Sequence, residues 1–246
     1  MAEDLPLILA AFLLGGLVKG ATGLGLPAVA TGLLSLAMPP LQAAALIVVP
    51  ALVTNVWQTA TGPALQTLLR RLWPLLVGIC LGTWTGAALL SGVDARPATA
   101  ALGVAIMLYA LASALPFSRG DLPRRWEQRI GPVVGAISGL IAAVTGVFVI
   151  PLVPFVQALG LDRDGLVQAL GISFTTCTVA LALALAATGD FSLSVGLASL
   201  LALAPALVGM FVGTWIRNVI SPITFRRVFL AGFFMLGAYL VAQFVY

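Results

Sequence analysis

Lys19 is the residue in this chain best suited to chemistry. It stands in the run Gly16-Leu17-Val18-Lys19-Gly20-Ala21-Thr22-Gly23 and is the only charged residue clearly inside one of the long apolar stretches. A lysine at bilayer depth is costly and by default marks a functional site, here by pairing with a substrate of opposite charge. The competing reading is that its stem snorkels, or that its ammonium caps the last carbonyls of a helix. Asn55 and Gln58 lie three residues apart and so share a face of a helix. Such amides bind a substrate or tie neighbouring helices together. Ser173, Thr175, Thr176 and Thr178 populate the matching stretch of the second half, with Ser173 and Thr176 taken as candidates, although hydroxyls there often bond their own helix backbone.

Several chemistries are excluded. The chain has no histidine, so histidine-based catalysis, metal ligation and pH switching are absent, and no catalytic residue, metal site or cofactor is expected. Cys80 and Cys177 stand alone in apolar stretches and read as small hydrophobes. The string Gly20-Ala-Thr-Gly-Leu-Gly25 follows no strand and has the wrong spacing for a dinucleotide loop. The acidic residues Glu3, Asp4, Asp94, Asp121, Glu127, Asp162, Asp164 and Asp190 all fall at ends or loops, which leaves no intramembrane carboxylate relay.

The elements that position these residues follow from composition. Of 246 residues, 61% are hydrophobic and only 8% charged. A soluble domain carries about 25% charged residues. Stretches of roughly 20 apolar residues match the length a helix needs to span the hydrocarbon layer. The lipid bilayer is therefore the expected surroundings. The net charge of +4 does not imply nucleic acid, because the arginines sit in short connections between apolar stretches. The first charges, Glu3 and Asp4, are acidic, so no cleaved signal peptide is expected.

The chain also repeats itself. Gly16 to Gly23 resembles Gly139-Leu140-Ile141-Ala142-Ala143-Val144-Thr145-Gly146; Thr61-Gly62 matches Thr188-Gly189, and Gly82-Thr83-Trp84 matches Gly213-Thr214-Trp215. The halves are 1–117 and 130–246, joined by a basic cytoplasmic linker at 118–129. Each half opens with a segment broken by glycine and proline, Leu5–Met38 and Ile130–Leu159. Three spans follow in each, at about 41–60, 72–91 and 97–117, then 166–187, 193–216 and 226–246.

Arginine placement decides how the broken segments lie. If each crosses once, the arginines divide almost evenly between the two sides. If each is a re-entrant hairpin and the N-terminus is outside, every arginine except Arg96 falls on the inside; a mixed arrangement with only the second segment a hairpin gives the same division, and the match between the repeats favours two hairpins. The fold expected is thus an all-α membrane protein of two inverted repeats, each a broken helical hairpin followed by three transmembrane helices, with both termini periplasmic. Irregular backbone at membrane depth needs a protein or water lining, so the two breaks are expected to face each other near the midplane. Each break is read as two short helices meeting, the second with its positive N-terminal end turned inward. The residues Gly20, Thr22, Gly23, Thr145 and Gly146 would then form an anion site together with Lys19.

These paired glycine-rich openings, the two Gly-Thr-Trp runs and the arginine-bearing connections resemble the TauE/SafE family of anion transporters across nearly the whole chain. The resemblance implies a multi-pass protein of the bacterial inner membrane that carries a small sulfur-containing anion, sulfite or an organosulfonate such as sulfoacetate. In the second opening, Ala142-Ala143-Val144 replaces the lysine and a glycine, a departure that bears on substrate identity. Export driven by membrane potential is the expected mode, with proton-coupled sulfonate uptake or an anion channel as alternatives. The expected partner is the small anion itself, and room is left for a homodimer.

Overall fold

The computed structural model describes residues 5–90, 95–114, 122–189, 193–219 and 222–245. Within them the chain forms ten helices and no strand. They are α1 (Leu5–Thr22), α2 (Leu26–Leu34), α3 (Pro40–Thr61), α4 (Leu65–Leu90), α5 (Ala95–Ala114), α6 (Arg124–Thr145), α7 (Leu152–Gln157), α8 (Arg163–Thr188), α9 (Leu193–Val219) and α10 (Pro222–Val245). Among the described residues six helices, α1, α3, α5, α6, α8 and α9, are long and apolar enough to cross a membrane. The expected spans become α3, α4, α5, α8, α9 and α10. The arginines expected in the linker at 124, 125 and 129 belong instead to the first turns of α6; Arg119 lies outside the described residues.

Both opening segments are hairpins, but unequal ones. The sequence reading of two short helices is corrected for the first arm: α1 has 18 residues and α6 has 22, each long enough to cross, and only the returning arms α2 and α7 are short. The second hairpin closes where it opens, since Leu122 N–H, just before α6, donates to Ala158 O, just after α7, at 3.1 Å. In the first, Leu7 and Ile8 pack in the same apolar cluster as Leu33, Leu34 and Met38, so α2 returns to the end from which α1 started.

Small residues set the packing. A methyl on Gly16 would sit 2.0 Å from Ala206 O, and one on Gly213 2.0 Å from Leu17 O, so α1 and α9 run parallel with backbones in contact. The same happens between α4 and α6, where a methyl on Gly82 would lie 2.0 Å from Ala136 O and one on Gly135 2.2 Å from Leu75 O. Lipid supplies no hydrophobic drive between helices, so close backbone approach of this kind supplies the dispersion that holds them. Antiparallel pairs complete the bundle: α5 with α10 through Gly103 and Gly237, and α3 with α8.

Pro50 interrupts α3 without ending it. Proline has no N–H, so Leu46 O loses its partner four residues on, a costly loss inside a bilayer. Ser199 of α9 repairs the gap: its hydroxyl donates to Leu46 O at 2.7 Å and accepts Val49 N–H at 3.0 Å.

These pairings sort the charges. The C-terminal end of α3, the start of α4 with Arg70 and Arg71, the base of the second hairpin with Arg124, Arg125 and Arg129, and the start of α8 with Arg163 share one end of the bundle. The end of α9 and the start of α10 lie there too, while Arg96 opens α5 at the other end. Trp57, Trp73, Trp126 and Trp215, all exposed, lie toward the arginine-rich end, where amphipathic rings suit a membrane interface.

Candidate functional site: a buried lysine at the first hairpin

Lys19 lies in the last turn of α1, one turn before the hairpin tip, with 3% of its surface exposed. Its ammonium donates to Asn55 Oδ1 on α3. Asn55, fully buried, passes the contact on through its Nδ2, which donates to Thr178 Oγ1 of α8 at 3.4 Å. One turn further along α3, Gln58 Nε2 donates to Gly23 O at the tip at 2.9 Å, while its buried Oε1 has no partner. Thr59 and Thr175 hydroxyls meet at 3.3 Å beside them. Three elements thus converge on one polar column in an otherwise apolar core.

The electrostatics of this column are unbalanced. A lysine ammonium has three donors, and the described contacts occupy one of them, on a neutral amide. Among the described residues Lys19 has no carboxylate partner; the one ion pair in the interior, Arg71 with Glu127, lies at the arginine-rich end. A buried cation with spare donors is expensive to keep, and it is complementary to an anion.

The two hairpin tips share a local design. Thr22 Oγ1 donates to Val18 O at 2.9 Å and accepts Leu24 N–H at 3.2 Å; Thr145 Oγ1 donates to Ile141 O at 2.7 Å and accepts Val147 N–H at 3.1 Å. The glycine that follows each threonine is left-handed, with φ of 81° at Gly23 and 69° at Gly146. Its N–H closes on Lys19 O at 2.7 Å or Ala142 O at 2.8 Å. A residue with a Cβ resists that conformation. Both hydroxyls are therefore engaged in ending a helix, the backbone work that a break at membrane depth requires.

The tips do not face each other at mid-depth, as the sequence reading expected. The first reaches Gln58 near the end of α3, whereas Gly146 lies against Ala44 near its start. That separation is about 20 Å along the α3 axis. The long arms overlap instead of meeting, because each spans most of the bundle. The second tip is also apolar: Val147, Phe148 and Val149 are buried, and Phe148 packs on Phe174 with ring centroids 5.2 Å apart. The polar cluster thus belongs to the first hairpin alone, in keeping with alanine at 142.

Of the residues picked from sequence, Lys19, Gly23, Asn55 and Gln58 come together. Ser173 and Thr176 bond their own helix, to Ala169 O at 2.8 Å and Ile172 O at 3.1 Å. Gly20 faces α9, where a methyl would lie 2.0 Å from Met210 O. Gly20→Ala is accordingly expected to loosen the α1–α9 contact, costing about 1–3 kcal/mol as overpacking. It should lower the thermal midpoint of the detergent-solubilised protein, and an unchanged midpoint would assign Gly20 to the site instead.

One residue of this region was ranked below the amides and another went unremarked. Thr178 stood within a row of hydroxyls and gave no distinguishing signal. Gln168, fully buried, accepts Ala64 N–H at 2.8 Å and donates to Thr59 O at 2.8 Å and Gly62 O at 2.9 Å, which caps the end of α3. A lone amide in an apolar span was the available clue to it.

Long apolar helices, hairpins that return within the bundle and a buried lysine with no carboxylate partner among the described residues define a multi-pass membrane protein with an internal polar cluster. The chain matches the model of the family described as sulfite exporter TauE/SafE over residues 7–240, nearly its whole length, and it belongs to that family. It is a membrane transporter of that class. No curated protein and no solved structure is similar enough to match.

Proposed function

We propose that this protein exports a small sulfur-containing anion, sulfite or an organosulfonate such as sulfoacetate, across the bacterial inner membrane by alternating access. The observation that carries this reading is Lys19, buried and unmatched by any described carboxylate, with Asn55 and Gln58 beside it. The anion's charge takes the lysine's unused donors, and the amides orient its oxygens. The arginine-rich end faces the cytoplasm and both termini face the periplasm, following the positive-inside rule.

The helix pairings support two inverted repeats, 1–117 and 130–246. Exchanging each helix with the one five places on turns α1–α9 into α6–α4 and returns α3–α8 and α5–α10 to themselves. The first hairpin then enters from the periplasmic end and the second from the cytoplasmic end, an arrangement suited to opening one side at a time. An anion leaving a cell that is negative inside gains about 2.3 kcal/mol per charge at 100 mV, roughly a fifty-fold concentration ratio.

The test is transport by the purified protein in liposomes with an imposed potassium diffusion potential. Sulfite or sulfoacetate flux should follow the sign and size of the potential and persist without a pH gradient. Flux that requires a pH gradient at clamped potential would replace this reading with proton-coupled uptake.

A further inference from the structure

A hollow of mixed polar and apolar lining lies far from Lys19, at the arginine-poor end. It has a volume of about 410 Å³ and is bounded by the foot of the first hairpin (35–39), the start of α5 and the end of α10. Arg96, Thr99 and Gln243 give it a polar wall, and Met38, Leu240 and Phe244 an apolar one. Ser35, also in the lining, is buried to 7% exposure with a hydroxyl that has no hydrogen-bond partner.

Three features of this hollow point the same way. Among the described residues its lining contains a guanidinium and no carboxylate. Arg96 is exposed and has no ion-pair partner among the described residues. The position of Arg96 is also exceptional: it stands at the opposite end from the other described arginines, where topology gives a positive charge no role. The size is informative as well. Small-molecule sites fall in the range of roughly 300–1,000 Å³, so the hollow suits an organic body as well as a charged head. Guanidinium and hydroxyl donors on one wall and hydrocarbon on the other fit an anion with a short carbon skeleton better than a bare inorganic oxyanion.

From this geometry we infer that the hollow is a periplasmic vestibule that binds organic anions, with Arg96 holding the charged head and Met38, Leu240 and Phe244 the carbon body. It rests on the anion transport proposed above and adds a second, side-specific binding step about 20 Å along α3 from Asn55.

The experiment compares Arg96→Gln, Arg96→Lys and the unaltered protein in liposomes, with ethanesulfonate and sulfite presented to each face in turn. For Arg96→Gln, the half-saturating ethanesulfonate concentration at the Arg96 face should rise about tenfold. The maximal rate and the opposite face should be unchanged, Arg96→Lys should recover most of the loss, and sulfite should show a smaller shift. Equal behaviour of all three proteins at both faces would overturn the vestibule while leaving anion transport intact. A loss at both faces alike would overturn it too, by giving Arg96 a structural role. If the unaltered protein carries neither anion, the transport reading and the vestibule fall together.

Discussion

Lys19→Met is expected to lower sulfur-anion transport roughly 100-fold, the scale of a lost charged hydrogen bond in a dry site. The same substitution should leave the protein no less stable without substrate, because an ammonium with a single neutral partner costs more to bury than a thioether of similar length. Thermal unfolding in detergent separates the two effects. The unaltered protein should gain stability with sulfite or a small sulfonate, as any ligand specific for the folded state provides. The variant should show an equal or higher midpoint without ligand and no gain with it. Undiminished transport by the variant would remove Lys19 from the site. A collapse of the ligand-free midpoint would make the residue a helix-end cap. Asn55→Leu should show a milder transport loss, since it removes the group that holds the ammonium in place but not the charge.

The second large effect lies at the arginine-rich end. Arg71 binds Glu127 through two nitrogens, at 2.8 and 2.6 Å, and donates to Leu159 O at 2.8 Å, so one side chain fastens the start of α4 to both ends of the second hairpin. Glu127 is almost fully enclosed, whereas the arginine side chain keeps 21% exposure. Arg71→Met strands a buried carboxylate and is expected to cost about 3 kcal/mol, the lower end of the range for breaking a buried pair. Arg71→Met with Glu127→Met should recover most of that loss, because the desolvation penalty goes with the charge. Midpoints of thermal unfolding for the two single variants and the double variant decide it: a double variant as weak as Arg71→Met would show that the contact to Leu159 O, not the ion pair, carries the stability.

The broad plan of this protein was legible without a fold. Hydropathy marked the six clean spans, since a helix that crosses a bilayer must be apolar along its whole length. Glycine and proline marked the two breaks. Arginine placement indicated hairpins, and the Leu122–Ala158 hydrogen bond closes the second one where it opens. The resemblance between Gly16–Gly23 and Gly139–Gly146 carried through to atomic detail, with matching threonine bonds and left-handed glycines at both tips.

Which residues meet was decided by tertiary structure. In a helix that is apolar all round, no periodic face points to a neighbour, so azimuth and depth are not written in the pattern. Thr22 and Gly20 looked like site residues because they flank Lys19. One is taken up by its own helix end, and the other is pressed against α9. The depth of the tips followed from the lengths of α1 and α6, which carry each break past the middle of the bundle. Lys19 announced itself by its cost in the membrane. Its pairing with Asn55, and with Thr178 beyond, came only from the crossing of α3 and α8 against α1, because packing rather than spacing selects partners among helices with no exposed polar face.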